Sequence, residues 1–363
     1  NNFVSKHGGH CNAWTGTEHS NYFFDIQPDW FIPALDYFAH LFINPTFSPK
    51  ALAKEQEAIH AEYKLKLQDD SRRIQQVHKQ TCSPEHPFHK FSVGNRHTLS
   101  DLPQRPVLDE ITRFWHDQYQ ARYMTLCLVS NHSLDTLETQ AKQLFGSLFT
   151  CQMTPPKAKP SMPLYRPQDL GVFIGIRPVK ELHRLNLTFA LPAFDELYTN
   201  KMLSFIAHIM GHEGQGSLFE ALKDEGFINS LSAGNGISGS NFKDFNITLD
   251  LTELGEQNLD ALLNIVFRYL CFIKEQTPGD FLYTEQKKLT EISYQFQEEI
   301  KANKLAGQIA LNMHHYPEED YLWGDYRMDG LDLDWWHKIL GYFTADNLRV
   351  TLVSQGVETD SQA

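Results

Sequence analysis

At 363 residues the chain is longer than one hydrophobic core usually supports, so two domains or a duplicated unit are expected. Its composition, 41% hydrophobic and 12% aromatic, is that of a globular protein, and no apolar run is long enough to cross a bilayer. A net charge of −13 argues against nucleic acid and anionic membrane surfaces as partners, because no basic excess can neutralise phosphates, and suits basic or neutral peptides better.

Residues 12–26 read as two short strands around Thr15-Gly16-Thr17, with Tyr22, Phe23 and Phe24 supplying aromatic enrichment. A helix over 30–43 follows, with Trp30, Phe31, Ala34, Leu35, Phe38, Leu41 and Phe42 at helical spacing and Asn44-Pro45 as its stop. Ser48-Pro49 supplies an N-cap and a first-turn proline for a second helix reaching about Gln68. A helix over 107–119, an apolar strand over 124–130 and a helix over 134–145 complete an α+β layer domain.

Residues 150–168 carry five prolines and no periodicity, the composition of an extended connector, so the predicted domains are 1–155 and 156–363. Beyond it, strands near 171–176 and 183–191, a helix over 198–210, strands near 228–235 and 243–252, and long helices repeat the earlier mixture. Residues 119–130 (YQARYMTLCLVS) match 343–354 (FTADNLRVTLVS) at four positions of twelve. The fold class expected is therefore α+β, with two related domains, each an antiparallel-type sheet with helices packed on it.

Five cysteines, widely spaced and never in a CxxC pair, predict buried thiols instead of a disulfide framework or a cysteine zinc site. The chain opens at Asn1, without Met and already inside a patterned segment, so a preceding segment is expected.

Glu55 and Glu62 stand seven residues apart on the second helix, about 20° apart around its axis. Ala51, Leu52, Ala58, Ile59 and Tyr63 share their side. Two carboxylates on that face are either solvated at a helix edge or, if buried, compensated by a metal, a cation or hydrogen bonds. The histidine groups, among them His7, His10 and His19, His86 and His89, and His314-His315, show neither HxxEH nor HExxH spacing and read as surface or hydrogen-bonded core residues. Residues 211–217 (GHEGQGS) form a glycine-punctuated turn with Ser217 placed to cap the next helix; no phosphate loop and no G-x-S-x-G elbow is present.

Several stretches in order resemble the insulysin and pitrilysin family of zinc metallopeptidases: NNFVSKHGGHCNAWTGTEHSNYFFDI, KEQEAIHAEYK, HPFHKFSVGNRHTL, PVKELHRLNLTFALP and GHEGQGSLFEALKDEGF. The resemblance implies half of a clamshell: a peptidase-like domain over 1–155, truncated at its start, and an inactive-type domain over 156–363. It places Glu62 on the family's third zinc ligand and Glu55 on its outer-shell acidic partner. The inverted HxxEH motif, with two histidines and the general-base glutamate, would lie upstream of Asn1, so this chain alone would be inactive. Zn2+ there would activate a water and polarise the scissile carbonyl.

The resemblance also puts Asn12, Ala13, Trp14 and Thr15 on an edge strand that takes the scissile peptide. His208, Gly211 and Glu213, with the strand Leu231-Ser232-Ala233, fall on a remote anchor for the substrate N-terminus. Departures in that strand leave peptide preference open. The activity implied is zinc-dependent cleavage of peptides and small unfolded proteins, with peptide substrates and a C-terminal half of the same enzyme as partners. Pitrilysin suggests a periplasmic location, a cytoplasmic one being the alternative. Two other readings stand beside it: a noncatalytic family member serving as a structural or peptide-binding subunit, and an unrelated two-domain solute-binding protein.

Overall fold

The computed structural model describes residues 2–148 and 159–360. The predicted domain boundary between 155 and 156, the first part of the proline connector and Cys151 lie outside the described residues. In chain order the first elements are α1 (Asn2–Lys6), β1 (His10–Thr15), β2 (Ser20–Asp25), α2 (Phe31–Ile43), α3 (Pro49–Lys66), α4 (Asp70–Gln80), α5 (Val107–Gln118) and α6 (Leu134–Phe145). After 159 come β3 (Val172–Ile176), β4 (Arg184–Leu191), α7 (Met202–Met210), α8 (Leu218–Asp224), β5 (Ile228–Gly239) and β6 (Phe242–Leu251). They are followed by α9 (Glu253–Gln257), α10 (Leu259–Glu275), α11 (Asp280–Gln295), α12 (Ala302–Asn312), α13 (Leu333–Gly341) and β7 (Leu348–Val353).

Two compact units emerge, and neither is continuous in sequence. Unit 1 comprises Asn1–Lys64, Val93–Ala158 and Glu298–Gly324; unit 2 comprises Leu65–Ser92, Lys159–Gln297 and Asp325–Ala363. Sequence periodicity carries no signal for such an exchange, because a helix reads the same whichever core it joins.

In unit 1, β1 and β2 pair antiparallel as a two-stranded ribbon, from His10↔Asp25 to Thr15↔Ser20. Helix α2 buries Ala34, Leu35, Ala39 and Phe42, a face with the i, i+1, i+5, i+8 recurrence of an amphipathic helix, and packs against α6, whose Leu137 is buried. The indole of Trp115 on α5 donates to the Phe42 carbonyl at 3.1 Å. Helix α12 is clipped beneath the ribbon: Asn303 Nδ2 donates to Asp25 Oδ2 at 2.7 Å and Asn21 Nδ2 to the Gly307 carbonyl at 3.3 Å. The strand predicted over 124–130 is a correction. Thr125 Oγ1 donates to the Ala310 carbonyl of α12 at 2.6 Å, yet the stretch forms no β-ladder with the described residues. Its apolar sequence specifies an extended segment, but a ladder needs a neighbour that sequence alone does not supply.

Unit 2 holds a five-stranded sheet in the order β3-β7-β4-β6-β5, parallel between β3 and β7 and antiparallel elsewhere. Alternate residues of β4 meet their cross-strand partners on one face: Leu185 opposes Leu249, Leu187 opposes Ile247, and Phe189 opposes Phe245. Phe205 and Ile206 of α7, Leu262 and Val266 of α10, and Trp336 and Ile339 of α13 cover that face and are almost fully buried. Each such side chain stabilises the fold by about 1.5–3 kcal/mol. The second face is polar and meets the C-terminal end of α4. Arg349 of β7, 1% exposed, donates to the Thr81 hydroxyl at 2.6 Å and to the Asp169 carbonyl. The buried Asp244 of β6 accepts from the Tyr165 hydroxyl at 2.9 Å.

Candidate metal ligand and substrate strands

Helix α3 is held on one side by the loop that begins at residue 93. Gln56 Nε2 donates to the Leu99 carbonyl, Glu57 pairs with Arg96, and His60 Nδ1 accepts from the Arg96 amide at 3.4 Å. These residues project about 120–160° around the helix from Glu62 at about 100° per residue. Glu55 and Glu62 therefore lie on the other side, and both are exposed, as are Ala51 and Ala58 beside them. Of the two sequence alternatives, the solvated helix edge is observed: neither carboxylate has a partner among the described residues. The small alanines leave both open to whatever approaches.

Asn12, Ala13, Trp14 and Thr15 are exposed on β1, which among the described residues pairs with β2 alone. Among the described residues no further strand pairs with the opposite edge of β1, and such an edge is the arrangement a peptide adds to by backbone hydrogen bonds. Trp14, 44% exposed, flanks that edge and meets the His19 ring edge-on at 5.1 Å.

In unit 2 the structure brings the second set together. Helix α7 ends at Gly211 against β5, where a Cβ would approach the Ala233 amide nitrogen at 3.7 Å and the Ala207 carbonyl at 3.2 Å. His208 is exposed at the last turn of α7, and its ring centroid lies 6.3 Å from that of His212. Glu213 is exposed in the turn, and Ser217 caps α8 by accepting from the Glu220 amide at 3.1 Å, as its position predicts. Among the described residues β5 is the outer strand of its sheet, so Ser232 and Ala233 lie on a second edge with no further strand paired to it there. Leu231 is the exception: its side chain is 7% exposed and belongs to the core, which leaves only its backbone for a ligand.

Sequence reading missed one feature. A cavity of about 870 Å3 lies within unit 1, lined by β2, residues 121–129, α2 and α12, and by His19, His314 and His315 at one end. Burial and the neighbouring histidines hold His19 below its ordinary pKa. Nothing in local spacing joins His19 to residues nearly three hundred positions on. His86 is instead the hydrogen-bonded core histidine expected, accepting from the Phe88 amide at 3.1 Å. Among the described residues no group of three or more histidine, cysteine, aspartate or glutamate side chains is placed to hold a metal. The described cysteines form no disulfide; Cys82 is buried as expected, Cys11 and Cys127 are half-buried, and Cys271 is exposed against expectation.

Comparison with known proteins decides the family. Residues 1–87 match the insulinase, peptidase family M16, pattern; residues 107–289 match the peptidase M16 inactive domain; and residues 294–363 match the middle or third domain of peptidase M16. The chain belongs to the insulinase family. Its M16 relatives include the A-factor-processing enzyme of Saccharomyces cerevisiae, 32% identical over 99% of this chain and 35% of that protein. Insulin-degrading enzyme of Homo sapiens is 30% identical over 98% of this chain and 35% of its own length. The M16 chain thus spans about a third of these relatives. The crystal structure of pitrilysin superposes with a TM-score of 0.92 at 25% identity, covering 100% of this chain and 38% of pitrilysin. Membership sets aside the solute-binding reading.

Proposed function

We propose that residues 1–363 are part of a zinc-dependent endopeptidase that cleaves peptides and small unfolded proteins and that the 363-residue chain is inactive by itself. The observation that carries the reading is the accessible Glu55–Glu62 pair on α3, in the unit that also presents β1 as an open edge strand, in a chain of the M16 family. Glu62 fits a single carboxylate ligand and Glu55 a neighbour that orients it. The other ligands do not come from the described residues, so a preceding HxxEH segment would supply them, together with the general base. Zinc, when bound, would lower the pKa of a water and polarise a carbonyl.

This chain's own residues then position the substrate. The β1 edge holds the peptide extended near Asn12, Ala13 and Trp14. The α7–β5 corner, with His208, Gly211 and the acidic Glu213, takes a cationic α-amino group while Ser232 and Ala233 offer backbone hydrogen bonds. A C-terminal half completes the chamber, and we place the protein in the periplasm on the likeness to pitrilysin.

The test compares cleavage of an unstructured peptide by the longer protein, with and without a zinc chelator, and by residues 1–363 with zinc added. Cleavage by the longer protein alone, abolished by chelation and restored by zinc, is expected. Failure of the longer protein to cleave or to bind zinc favours the noncatalytic subunit, for which the two open strand edges would serve peptide binding.

A further inference from the structure

Helix α3 carries Glu62 but buries no side chain among the described residues. Its half-buried residues Leu52, Gln56, Ile59, His60 and Tyr63 recur at i, i+4, i+7, i+8 and i+11 and so form one stripe along its length. Contact that shallow does not lock a helix against rolling about its own axis, because most helical rigidity in proteins comes from a buried apolar face. Roll matters to a metal ligand. With side chains reaching about 5–6 Å from the axis, a roll of roughly 10° carries a carboxylate about 1 Å, several times the ~0.2 Å within which metal–ligand distances are held.

The turn at residues 94–99, in the same unit, opposes that roll. Gly94 opens it at φ +82°, and a Cβ there would stand 3.0 Å from Leu99 Cδ1 and 3.5 Å from Ile59 Cγ2. The turn is closed on itself. Asn95 Oδ1 accepts from the His97 and Thr98 amides at 2.9 and 3.0 Å, Thr98 Oγ1 accepts from the Asn95 amide at 2.9 Å, and the Leu99 amide donates to the Asn95 carbonyl at 3.0 Å. So braced, it offers α3 two backbone groups of opposite kind: the Leu99 carbonyl accepts from the Gln56 carboxamide, and the Arg96 amide donates to His60 Nδ1 at 3.4 Å. Gln56 and His60 stand four residues apart, one helical turn above the other, so the helix is gripped at two heights on one side. Glu57 adds an ion pair to Arg96, but its side chain is 60% exposed and that of Arg96 58%, and such a pair contributes little.

We propose that Gln56 and His60, fastened to the 94–99 turn, are positioning residues that set the roll of α3 and thereby the direction in which Glu62 presents its carboxylate to the metal. The inference rests on the reading of Glu62 as a zinc ligand. Lying about 120° and 160° around the helix from Glu62, neither residue is directed at the same metal, so each acts through the helix. Gln56 is the stronger fastening and Glu57 is not one of the pair.

The test uses the longer protein and its Gln56→Met and Asn95→Ala variants. Methionine keeps the length and helix propensity of glutamine without its donor, while Asn95→Ala loosens the turn and leaves the sequence of α3 untouched. Three quantities are measured: the zinc dissociation constant by chelator competition, the visible bands of the cobalt(II)-substituted protein, which report ligand geometry, and amide exchange along α3. Both variants are expected to bind zinc on the order of tenfold more weakly, to shift the cobalt bands and to exchange the α3 amides faster. A simple loss of folded protein would lower the amplitude of the cobalt bands without moving them. Faster exchange with zinc affinity and cobalt bands unmoved would show that the turn only holds the helix, and would overturn the positioning role. Zinc lost in Glu62→Gln yet held with parent affinity by both variants overturns this role alone, whereas a parent protein without zinc overturns the peptidase reading and this role with it.

Discussion

Cys82 and Cys271 carry the same thiol and face opposite fates. Burial pushes the Cys82 thiol up to about 12, whereas Cys271 is exposed on α10. Because the thiolate is the reacting form, iodoacetamide at pH 8 should label Cys271 in the native protein and spare Cys82 until the protein is unfolded. Mass mapping checks this, and early labelling of Cys82 would contradict its burial. His183 makes a second case. Its hydrogen bond to Glu256 holds the imidazolium to a higher pH than the ordinary 6.5, so its contribution to stability is complete below that value and fades as pH rises through the raised pKa. His183→Gln should therefore lower stability more at pH 6 than at pH 9 in urea unfolding; an equal loss at both would exclude the linkage. At this scale the sequence was informative about residue type and silent about partners. The spacing of Glu55 and Glu62 put them on one face, but their exposure depends on which side of α3 Gln56, Glu57 and His60 dock.

Elements were legible where one chain segment determines them. The helix predicted over 134–145 is α6, and Asn44-Pro45 does end α2, because caps and apolar spacing act within a few residues. The strand over 124–130 was not, since its hydrogen bonds must come from elsewhere. The sheet of unit 2 shows what a satisfied strand contributes: Leu249→Ala on β6 removes a fully buried side chain opposite Leu185 and should cost about 2–5 kcal/mol by denaturant unfolding. Among the described residues unit 1 buries far fewer apolar side chains, chiefly Val4, Ala34, Leu35, Ala39, Phe42 and Leu137. In residues 1–363 it should accordingly lose structure at lower urea than unit 2, which two separate transitions in exchange-monitored unfolding would show and one shared transition would refute.

At the scale of the whole molecule, the family was legible because five ordered segments of the chain carry it, and the comparisons agree. The exchange of 65–92 and 298–324 between units was not, since nothing in a helix's own pattern names the core it joins. The chain spans about a third of its relatives, and among its described residues it presents an accessible carboxylate pair and a strand edge without a ladder partner, on which the proposed function rests. The most direct test of that account is the zinc content of the longer protein beside its Glu62→Gln and Glu57→Gln variants. Glu57 lies on the far side of the same helix, paired with Arg96, and serves as the control. Loss of zinc and peptide cleavage in Glu62→Gln, with both retained in Glu57→Gln, is the predicted result; full zinc and full activity in Glu62→Gln would contradict it.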